Sequence, residues 1–170
     1  NDTFGFVVLN DRIDLTLDGD YYVIDEETPL IAYEGRIQTK TYQANAADPT
    51  HKYEIEDENI DLTTLQVRVF PSPSKVEDTA ATYKQFTNNL RPDGSSSIYF
   101  INENHAGRYE ISFGNGLFGR KLSAGSVIEI TYLVTRGEDG NGINSTDYNF
   151  QDTNSASPIG SVDFLEYVDG

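Results

Sequence analysis

The sequence contains no cysteine, no tryptophan and no methionine. Without cysteine, the chain has no disulfide framework, no thiolate metal site and no thiol nucleophile. Without tryptophan and methionine, its bulky apolar volume comes largely from 11 tyrosines and 9 phenylalanines. Because aromatic side chains pack well on a pleated surface, this composition favours β-strands over helices.

Positive charge is also scarce, with 12 Lys and Arg against 28 Asp and Glu and a net charge of −16. Nucleic-acid affinity depends mostly on Lys and Arg displacing counterions from phosphates, so no nucleic-acid partner is expected. No anionic membrane surface is expected as a partner either. No apolar run approaches the length of about 18 residues that a membrane helix needs. The acidity instead favours solubility and attraction to a basic protein surface.

Helical periodicity is almost absent, whereas alternation of apolar and polar residues recurs along the chain. Such period-two alternation is typical of half-buried strands. The predicted fold is therefore mainly β, an antiparallel β-sandwich or two packed sheets with little helix. The predicted strands cover residues 4–9, 12–17, 21–25, 31–40, 52–56, 65–70, 98–101, 109–113, 117–122 and 127–135.

Turn-forming residues separate these strands. Asn10-Asp11 predicts a hairpin turn between the first two strands, and Asp18-Gly19-Asp20 predicts the next turn. Residues 59–63 are predicted as a further turn. Gly35 within a strand predicts a bulge or a close backbone neighbour. Residues 75–90 fit a short helix and a strand equally well.

Three parts of the chain are predicted from this pattern. Residues 1–28 form an N-terminal β segment that we expect to continue from an upstream part, and residues 29–143 form a β domain. Residues 144–170 form an extended loop followed by a terminal strand or short helix. Because the sequence begins without Met and ends within an apolar pattern, we expect a piece of a longer polypeptide.

Residues suited to catalysis are few. His51 and His105 both lie in polar segments, where a solvated loop histidine is favoured over an acid–base catalyst, and the nucleophile pattern G-x-S-x-G is absent. The dense carboxylates at 25–27 and 54–58 would suit a carboxylate-based hydrolase only if two of them faced each other across a cleft. Charge runs of this kind usually lie at solvated edges. The sequence therefore predicts a protein that is not an enzyme.

Calcium is the stronger chemical alternative, because acidic loops rich in glycine can supply the oxygen ligands that it prefers. The EF-hand spacing is absent from both candidate loops, and Asp-Gly and Asn-Gly form turns without any metal. The turn interpretation is favoured, and no metal or cofactor is predicted. The candidate ligands would be Asp18, Asp20 and Asp25 in one loop and Glu138, Asp139 and Asn141 in the other.

The segment Gly114–Gly119 has the bare spacing G-x-G-x-x-G of a nucleotide-binding loop, but no helix is predicted after it to bind a phosphate. Asn115-Gly116 instead predicts a type I′ hairpin turn joining strand 109–113 to strand 117–122. Ile128, Ile130, Tyr132 and Val134 are predicted to line one face of the next strand, opposite Tyr109, Ile111 and Phe113.

This run resembles the baseplate J-like family, in particular the large baseplate wedge subunits of contractile-tailed (T4-like) bacteriophages. The shared pattern is an FG-N-G block with later glycines, then an alternating strand with a tyrosine, then a G-x-x-G-N turn. Upstream, the stretches IAYEGRIQTKTYQA and KYEIEDENIDLTTLQVRVFPS occur in the order of the family. The positions that match are Phe113, Gly114, Asn115, Gly116, Gly119, Gly125, Tyr132, Gly137, Gly140 and Asn141.

The resemblance implies a structural protein of the virion, assembled in the host cytoplasm into the tail baseplate. In the family, wedge subunits associate with each other and with neighbouring wedge proteins into a ring that changes diameter when the tail contracts. It implies a homodimer in the parent protein, no cofactor and no catalytic residues. The alternative from another class is a secreted β-sandwich module that binds calcium or carbohydrate. Because the glycines would serve backbone geometry, Gly116→Val is expected to damage folding or assembly.

Overall fold

A computed structural model describes residues 5–9, 15–19, 21–24, 32–88 and 91–137 of the chain. The prediction of a mainly β protein with little helix is confirmed. One complete 3₁₀ turn, Glu77–Thr79, lies within these ranges. The strands are β1 (Phe6–Val8), β2 (Leu15–Asp18), β3 (Tyr21–Ile24), β4 (Ala32–Glu34), β5 (Arg36–Gln43), β6 (Tyr53–Ile55), β7 (Ile60–Phe70), β8 (Ala81–Gln85), β9 (Ile98–Glu103), β10 (Tyr109–Phe113) and β11 (Val127–Val134).

Seven of these strands form one sheet in the order β5-β11-β7-β8-β9-β10-β6. Strand β8 is the corner of the sheet, because its first residues pair with β7 and its last residues pair with β9. The β8–β9 pair is parallel and the other pairs of this sheet are antiparallel. A strand that passes from one layer to another in this way lets the two halves of a sheet pack face to face.

The core lies between these two halves. Ile130 of β11 and Ile111 of β10, both fully buried, belong to the same apolar cluster although their strands are far apart in the sheet order. The Phe113 ring contacts the Tyr53 ring at 5.8 Å and the Tyr83 ring at 5.3 Å between centroids, both edge to face. Aromatic rings prefer this arrangement to direct stacking, so the contacts stabilise the cluster beyond their buried area.

The two edge strands of the large sheet also approach each other. The Tyr42 hydroxyl of β5 donates a hydrogen bond to the Glu54 carbonyl of β6 at 2.6 Å. The Tyr42 and Tyr53 rings are 5.6 Å apart, and the Tyr53 hydroxyl accepts a hydrogen bond from the Asn45 amide at 2.8 Å. These side-chain contacts connect the two edge strands, β5 and β6. Because edge strands carry unpaired backbone groups, such contacts limit the pairing of these edges with other chains.

The N-terminal strands pair differently from the prediction. Strand β1 pairs with β4 rather than with β2, so the predicted pairing of the first two strands is wrong; Asn10 and Asp11 lie outside the described residues. Strand β2 pairs with β3 across a short turn in which Gly19 has a φ of +61°. The turn after β2 is thus confirmed. A local turn signal does not decide pairing, because a strand can find a partner farther along the chain.

Gly35 divides the predicted strand 31–40 into β4 and β5. Its φ is +136°, and its amide donates a hydrogen bond to the Gly5 carbonyl at 2.8 Å. A Cβ atom at this position would lie 2.6 Å from the Val134 carbonyl oxygen. The prediction of a close backbone neighbour is confirmed, and only glycine combines this conformation with this proximity.

The predicted turn at 59–63 is wrong, because β7 already begins at Ile60. Asn59, with a φ of +57°, lies in a bend immediately before this strand. A shift in register then interrupts the pairing of β7 with β11, and the Thr64 hydroxyl accepts a hydrogen bond from the Leu133 amide at 2.9 Å. Polar residues that resemble a turn in sequence therefore form an irregular but paired strand.

Residues 75–90 contain both predicted alternatives, the 3₁₀ turn followed directly by β8. The predicted extended loop and terminal element at 144–170 lie outside the described residues. The division of the chain at residues 28 and 143 stays a prediction.

Candidate protein-docking surface at the glycine-rich loop

The segment after β10 is a compact loop instead of the predicted hairpin. Residues 117–122 form no strand, and β10 pairs with β9 and β6. Gly116 has a φ of +91°, but Asn115 does not adopt the positive φ that a type I′ turn requires. Instead, the Asn115 side-chain oxygen accepts hydrogen bonds from the Leu117 and Phe118 amides at 2.9 and 3.0 Å. The asparagine therefore forms a side-chain-stabilised turn.

The predicted pairing of β11 with β10 is also wrong. Strand β11 lies between β5 and β7, and β10 lies in the opposite half of the sheet. Ile128, Ile130 and Tyr132 do face Ile111 and Phe113, but across the core and not along a ladder. Alternation in the sequence identifies the buried face of a strand, and it does not identify the neighbouring strand.

Close backbone contact explains two glycines of the loop. A Cβ atom on Gly114 would lie 2.5 Å from the Gly119 Cα atom, and one on Gly119 would lie 2.8 Å from the Ile98 side chain. The Gly116 amide also donates a hydrogen bond to the Gly119 carbonyl at 3.0 Å. The backbone at Gly114 and the backbone at Gly119 therefore touch at the base of the loop. A side chain at either position would push these two backbone segments apart.

A second loop, residues 93–97, supports the first one. The Gly119 amide donates to the Asp93 carbonyl and the Arg120 amide donates to the Ser96 carbonyl, each at 2.8 Å. A Cβ atom on Gly94 would lie 2.9 Å from the Gly116 carbonyl carbon. Two loops that are distant in sequence therefore form one unit joined by backbone hydrogen bonds.

Asp93 organises the supporting loop. Its Oδ1 atom accepts hydrogen bonds from the Ser95 amide, the Ser95 hydroxyl and the Ser96 hydroxyl, at 2.8, 2.8 and 2.9 Å. These hydrogen bonds, led by the one from the Ser95 hydroxyl, lower the pKa of Asp93 to about 2. Asp93 is not among the residues predicted above, and the sequence signal that could have identified it is Asp-Gly-Ser-Ser, a typical pattern for such a turn.

Three phenylalanines lie on the outer side of these loops, and we call them the phenylalanine platform. The ring centroids of Phe86 and Phe118 are 5.3 Å apart, those of Phe86 and Phe100 are 5.4 Å apart, and the Phe100 and Phe118 rings stack at 5.9 Å. Phe118 is 42% exposed, and the neighbouring Leu117 is 85% exposed. The glycine-rich loop therefore presents two large apolar side chains to solvent.

Tyr132, another of the positions that match the pattern, lies in a polar contact with Asp57 and Lys40 that we call the tyrosine junction. Tyr132 is 1% exposed, and its hydroxyl donates a hydrogen bond to Asp57 Oδ2 at 2.5 Å. Lys40 Nζ lies 3.2 Å from the same oxygen. The hydrogen bond from Tyr132 lowers the pKa of Asp57, and burial together with this bond raises the pKa of Tyr132. The junction ties the segment after β6 to β5 and β11.

The remaining matched positions serve the fold. Phe113 is buried in the core, and Gly125 and Gly137 have φ values of +80° and +62° in turns on either side of β11. A Cβ atom on either of these two glycines would meet no atom within 4 Å. Gly140 and Asn141 lie outside the described residues.

The dense acidic segment 54–58 is partly neutralised by its neighbours. Glu54 accepts hydrogen bonds from Arg108 at 2.8 Å and from Asn104 at 2.9 Å. Glu110, on the adjacent strand, pairs with Lys52 at 2.7 Å. The hydrogen bond from Lys52 lowers the pKa of Glu110, which favours the charged form of that carboxylate. A glycosidase acid would need a carboxyl group with a raised pKa.

The two histidines are not brought together with a nucleophile. His51 is exposed and contacts the Tyr53 ring edge to face at 4.8 Å between centroids, and His105 is exposed in the turn before β10. Among the described residues, no hydrogen bond joins either imidazole to a serine hydroxyl or a carboxylate.

A metal site and a membrane-spanning helix are the remaining candidates. Within the described ranges, no group of three His, Asp or Glu side chains could bind a metal ion. Of the six candidate calcium ligands, only Asp18 lies in those ranges, so the calcium alternative stays open. The part of the chain that the structure describes has no helix long and apolar enough to cross a membrane.

No protein-family model matches the sequence, and no curated protein matches it.

Proposed function

We propose that this chain is a structural domain of a baseplate wedge subunit from a contractile phage tail, and that it acts through protein–protein contacts without catalysis. The observation that carries the proposal is the order of sequence features: two upstream strand patterns, then the FGNG block, then the strand that contains Tyr132. The proposed partners are other wedge proteins and a second copy of the parent protein. The proposed location is the tail baseplate, after assembly in the host cytoplasm.

The uses of the matched residues are compatible with this role. Gly114 and Gly119 allow backbone segments to touch, and Tyr132 ties three segments together through Asp57. A subunit that transmits the movement of a contracting tail needs such a stiff framework. Leu117 and Phe118, exposed at the end of the same loop, supply apolar surface of the kind found at protein interfaces.

Electron microscopy of phage particles tests the proposal. Antibodies raised against the recombinant chain and coupled to gold particles should label the baseplate end of contractile tails, before and after contraction. Preimmune antibodies and tail-less heads serve as controls. Gold confined to heads or tail fibres, or an absence of the parent polypeptide from purified virions by mass spectrometry, would contradict the proposal.

A further inference from the structure

The phenylalanine platform combines exposed apolar area with a rigid support. Phe86 and Phe100 are half-buried, and Phe118 is held over them by the loop that the 93–97 segment supports. Aromatic side chains in such a support lose little conformational freedom on binding, which favours them as interface anchors. Exposed apolar residues that occur together on a rigid loop are typical of a site of contact.

Basic residues outnumber acidic residues in the segments that contain the platform, whereas acidic residues predominate in the chain as a whole. The segments 79–102 and 111–128, which build the platform and its two loops, contain four Lys or Arg and a single acidic residue. The whole chain contains 12 Lys and Arg against 28 Asp and Glu. The acidic residue is Asp93, whose Oδ1 atom is occupied by three hydrogen bonds within its own loop. The four cations are Lys84, Arg91, Arg120 and Lys121.

Two of these cations, Lys84 and Arg120, are near platform residues in sequence. Lys84 on β8 is exposed and lies two residues before Phe86, which directly follows β8 and whose amide donates a hydrogen bond to the Tyr99 carbonyl at 2.8 Å. Arg120 lies two residues after Phe118, and its Nε donates a hydrogen bond to the Ser95 carbonyl at 3.1 Å. Arg91 begins the segment that leads into the supporting loop.

The cations also differ in their pairing from those elsewhere on the molecule. Lys40, Lys52, Arg68, Lys75 and Arg108 each form an ion pair with a carboxylate. Within the ranges that the structure describes, none of the four cations near the platform does so. Unpaired cations at the rim of an apolar patch complement carboxylates brought by a partner.

We propose that the phenylalanine platform and its flanking cations bind an acidic polypeptide segment of another subunit, in which Asp or Glu residues alternate with aromatic or aliphatic residues. The apolar side chains of the segment pack on Phe86, Phe100 and Phe118, and its carboxylates pair with Lys84 and Arg120. This inference rests on the proposed function as a subunit of an assembly, and it specifies the chemistry of one partner surface.

The net charge of the chain does not prevent this binding. At physiological salt the Debye length is about 8 Å, so the distant carboxylates are screened while the adjacent cations act at short range. The long-range repulsion slows association and the local pairs lower the dissociation rate. A basic partner would gain from the net charge, but at this surface it would meet unpaired cations.

Binding of a synthetic probe to the full chain tests the proposal. The probe is a short fluorescein-labelled peptide of alternating Asp or Glu and Phe or Leu, and the readout is fluorescence anisotropy. We expect saturable binding with a Kd below about 1 mM. Phe118→Ser should raise the Kd at least about tenfold, as expected for an anchor residue. The double variant Lys84→Gln/Arg120→Gln should raise it about tenfold at low salt and flatten its salt dependence.

Matched controls separate binding from folding. Val76→Ser alters an apolar residue of similar exposure, 51%, outside the platform, and Lys52→Gln alters a cation that already has a partner. Both should change the Kd less than about twofold. Leu117→Ser, next to the platform residue Phe118, is a second test variant, because a side chain that is 85% exposed contributes little to folding. It should raise the Kd about threefold. Circular dichroism verifies that each variant is folded.

Four outcomes would overturn the inference. The first is a lack of saturable binding, and the second is that a probe with Lys in place of Asp and Glu binds as tightly as the acidic probe. The third is that the Phe118→Ser and Lys84→Gln/Arg120→Gln variants bind the probe as tightly as the parent chain. The fourth is a self-association in analytical ultracentrifugation that Phe118→Ser abolishes. The last result would assign the platform to a second copy of the chain. Because the assay uses the isolated chain, its failure leaves the immunogold result unaffected, and a negative immunogold result leaves the peptide binding unaffected.

Discussion

The tyrosine junction and the phenylalanine platform use side chains in opposite ways. At the junction, a nearly inaccessible tyrosine directs its hydroxyl to Asp57, so that polar atoms lie inside the protein with their hydrogen bonds formed. At the platform, apolar rings lie at the surface, and Phe118 is 42% exposed. One residue of each feature, Tyr132 and Phe118, comes from the same run of sequence, the loop after β10 and the strand that follows it.

The two regions should therefore differ in their contributions, the junction to folding stability and the platform to binding. A buried hydroxyl that forms its hydrogen bond adds modestly to stability, but loss of its partner leaves a costly unsatisfied group. An exposed phenylalanine adds little to stability and becomes valuable when another surface covers it. We therefore expect changes at the junction and at the base of the loop to lower stability, and changes at the platform to alter binding.

The largest effect should come from the base of the loop on which the platform depends. Gly114→Val places a side chain where a Cβ atom would already lie 2.5 Å from Gly119 Cα, so the loop must separate from itself. We expect a loss of about 3 kcal/mol or more in the free energy of unfolding, measured by urea denaturation.

Gly125→Ala is the matched control for Gly114→Val. Gly125 has a φ of +80°, but a Cβ atom there would meet nothing within 4 Å. Only backbone strain of about 1 kcal/mol should result. Equal losses for the two variants would show that crowding at Gly114 is not the reason for its glycine.

The next effect should come from the junction itself. Tyr132→Phe removes the hydroxyl and leaves the Asp57 carboxylate with Lys40 as its remaining close partner. We expect the free energy of unfolding to fall by about 1 to 2 kcal/mol. A double-mutant cycle with Asp57→Asn should show coupling between the two residues, and additive losses would mean that the hydrogen bond contributes nothing.

Acidification should affect both regions through carboxylates whose folded-state pKa is lowered. The pKa of Asp93 falls from 3.8 to about 2 in the folded protein, and the pKa of Asp57 is also lowered. Between about pH 2 and 4 the unfolded chain therefore binds more protons than the folded chain. The stability that these two carboxylates contribute is fully present above about pH 4 and is lost as the pH falls towards 2. Urea midpoints recorded across this range should decline.

Variants assign this decline to the two carboxylates. In Asp93→Asn and in Asp57→Asn the urea midpoint should fall less steeply with pH than in the parent chain, because the titrating group is gone. Ser123→Ala, a change on the exposed loop before β11, should keep the parent slope. Identical slopes in all the variants would contradict the lowered pKa values.

Added calcium should have the smallest effect, because neither the junction nor the platform is expected to bind it and the stability of the chain should not change. If the acidic loops serve as turns, the melting temperature will be the same in millimolar CaCl₂ and in excess EDTA, because a ligand stabilises only the state that binds it. Magnesium chloride controls for ionic strength. A rise in melting temperature specific to calcium would revive the alternative of a calcium-binding module and would identify a third region, the acidic loops.

Much of the local structure could be predicted because it depends on neighbouring residues. The alternation in 52–56 and 65–70 identified strands whose inward residues Tyr53, Ile55 and Val67 are buried. The close neighbour of Gly35 was expected from a glycine inside an alternating strand. Pairing could not be predicted in the same way, because the predicted hairpin after β10 used a local turn signal while Asn115 forms its hydrogen bonds inside a loop.

The sequence by itself determined the mainly β composition, the buried faces of β6 and β11 and the close backbone approach at Gly35, because these depend on periodicity and on local sterics. The tertiary structure alone decided the two features compared above. Tyr132 meets Asp57 across 75 residues of sequence, and the platform joins rings from three separate segments. Contacts between distant segments depend on strand order and on the corner at β8, and no local pattern encodes them.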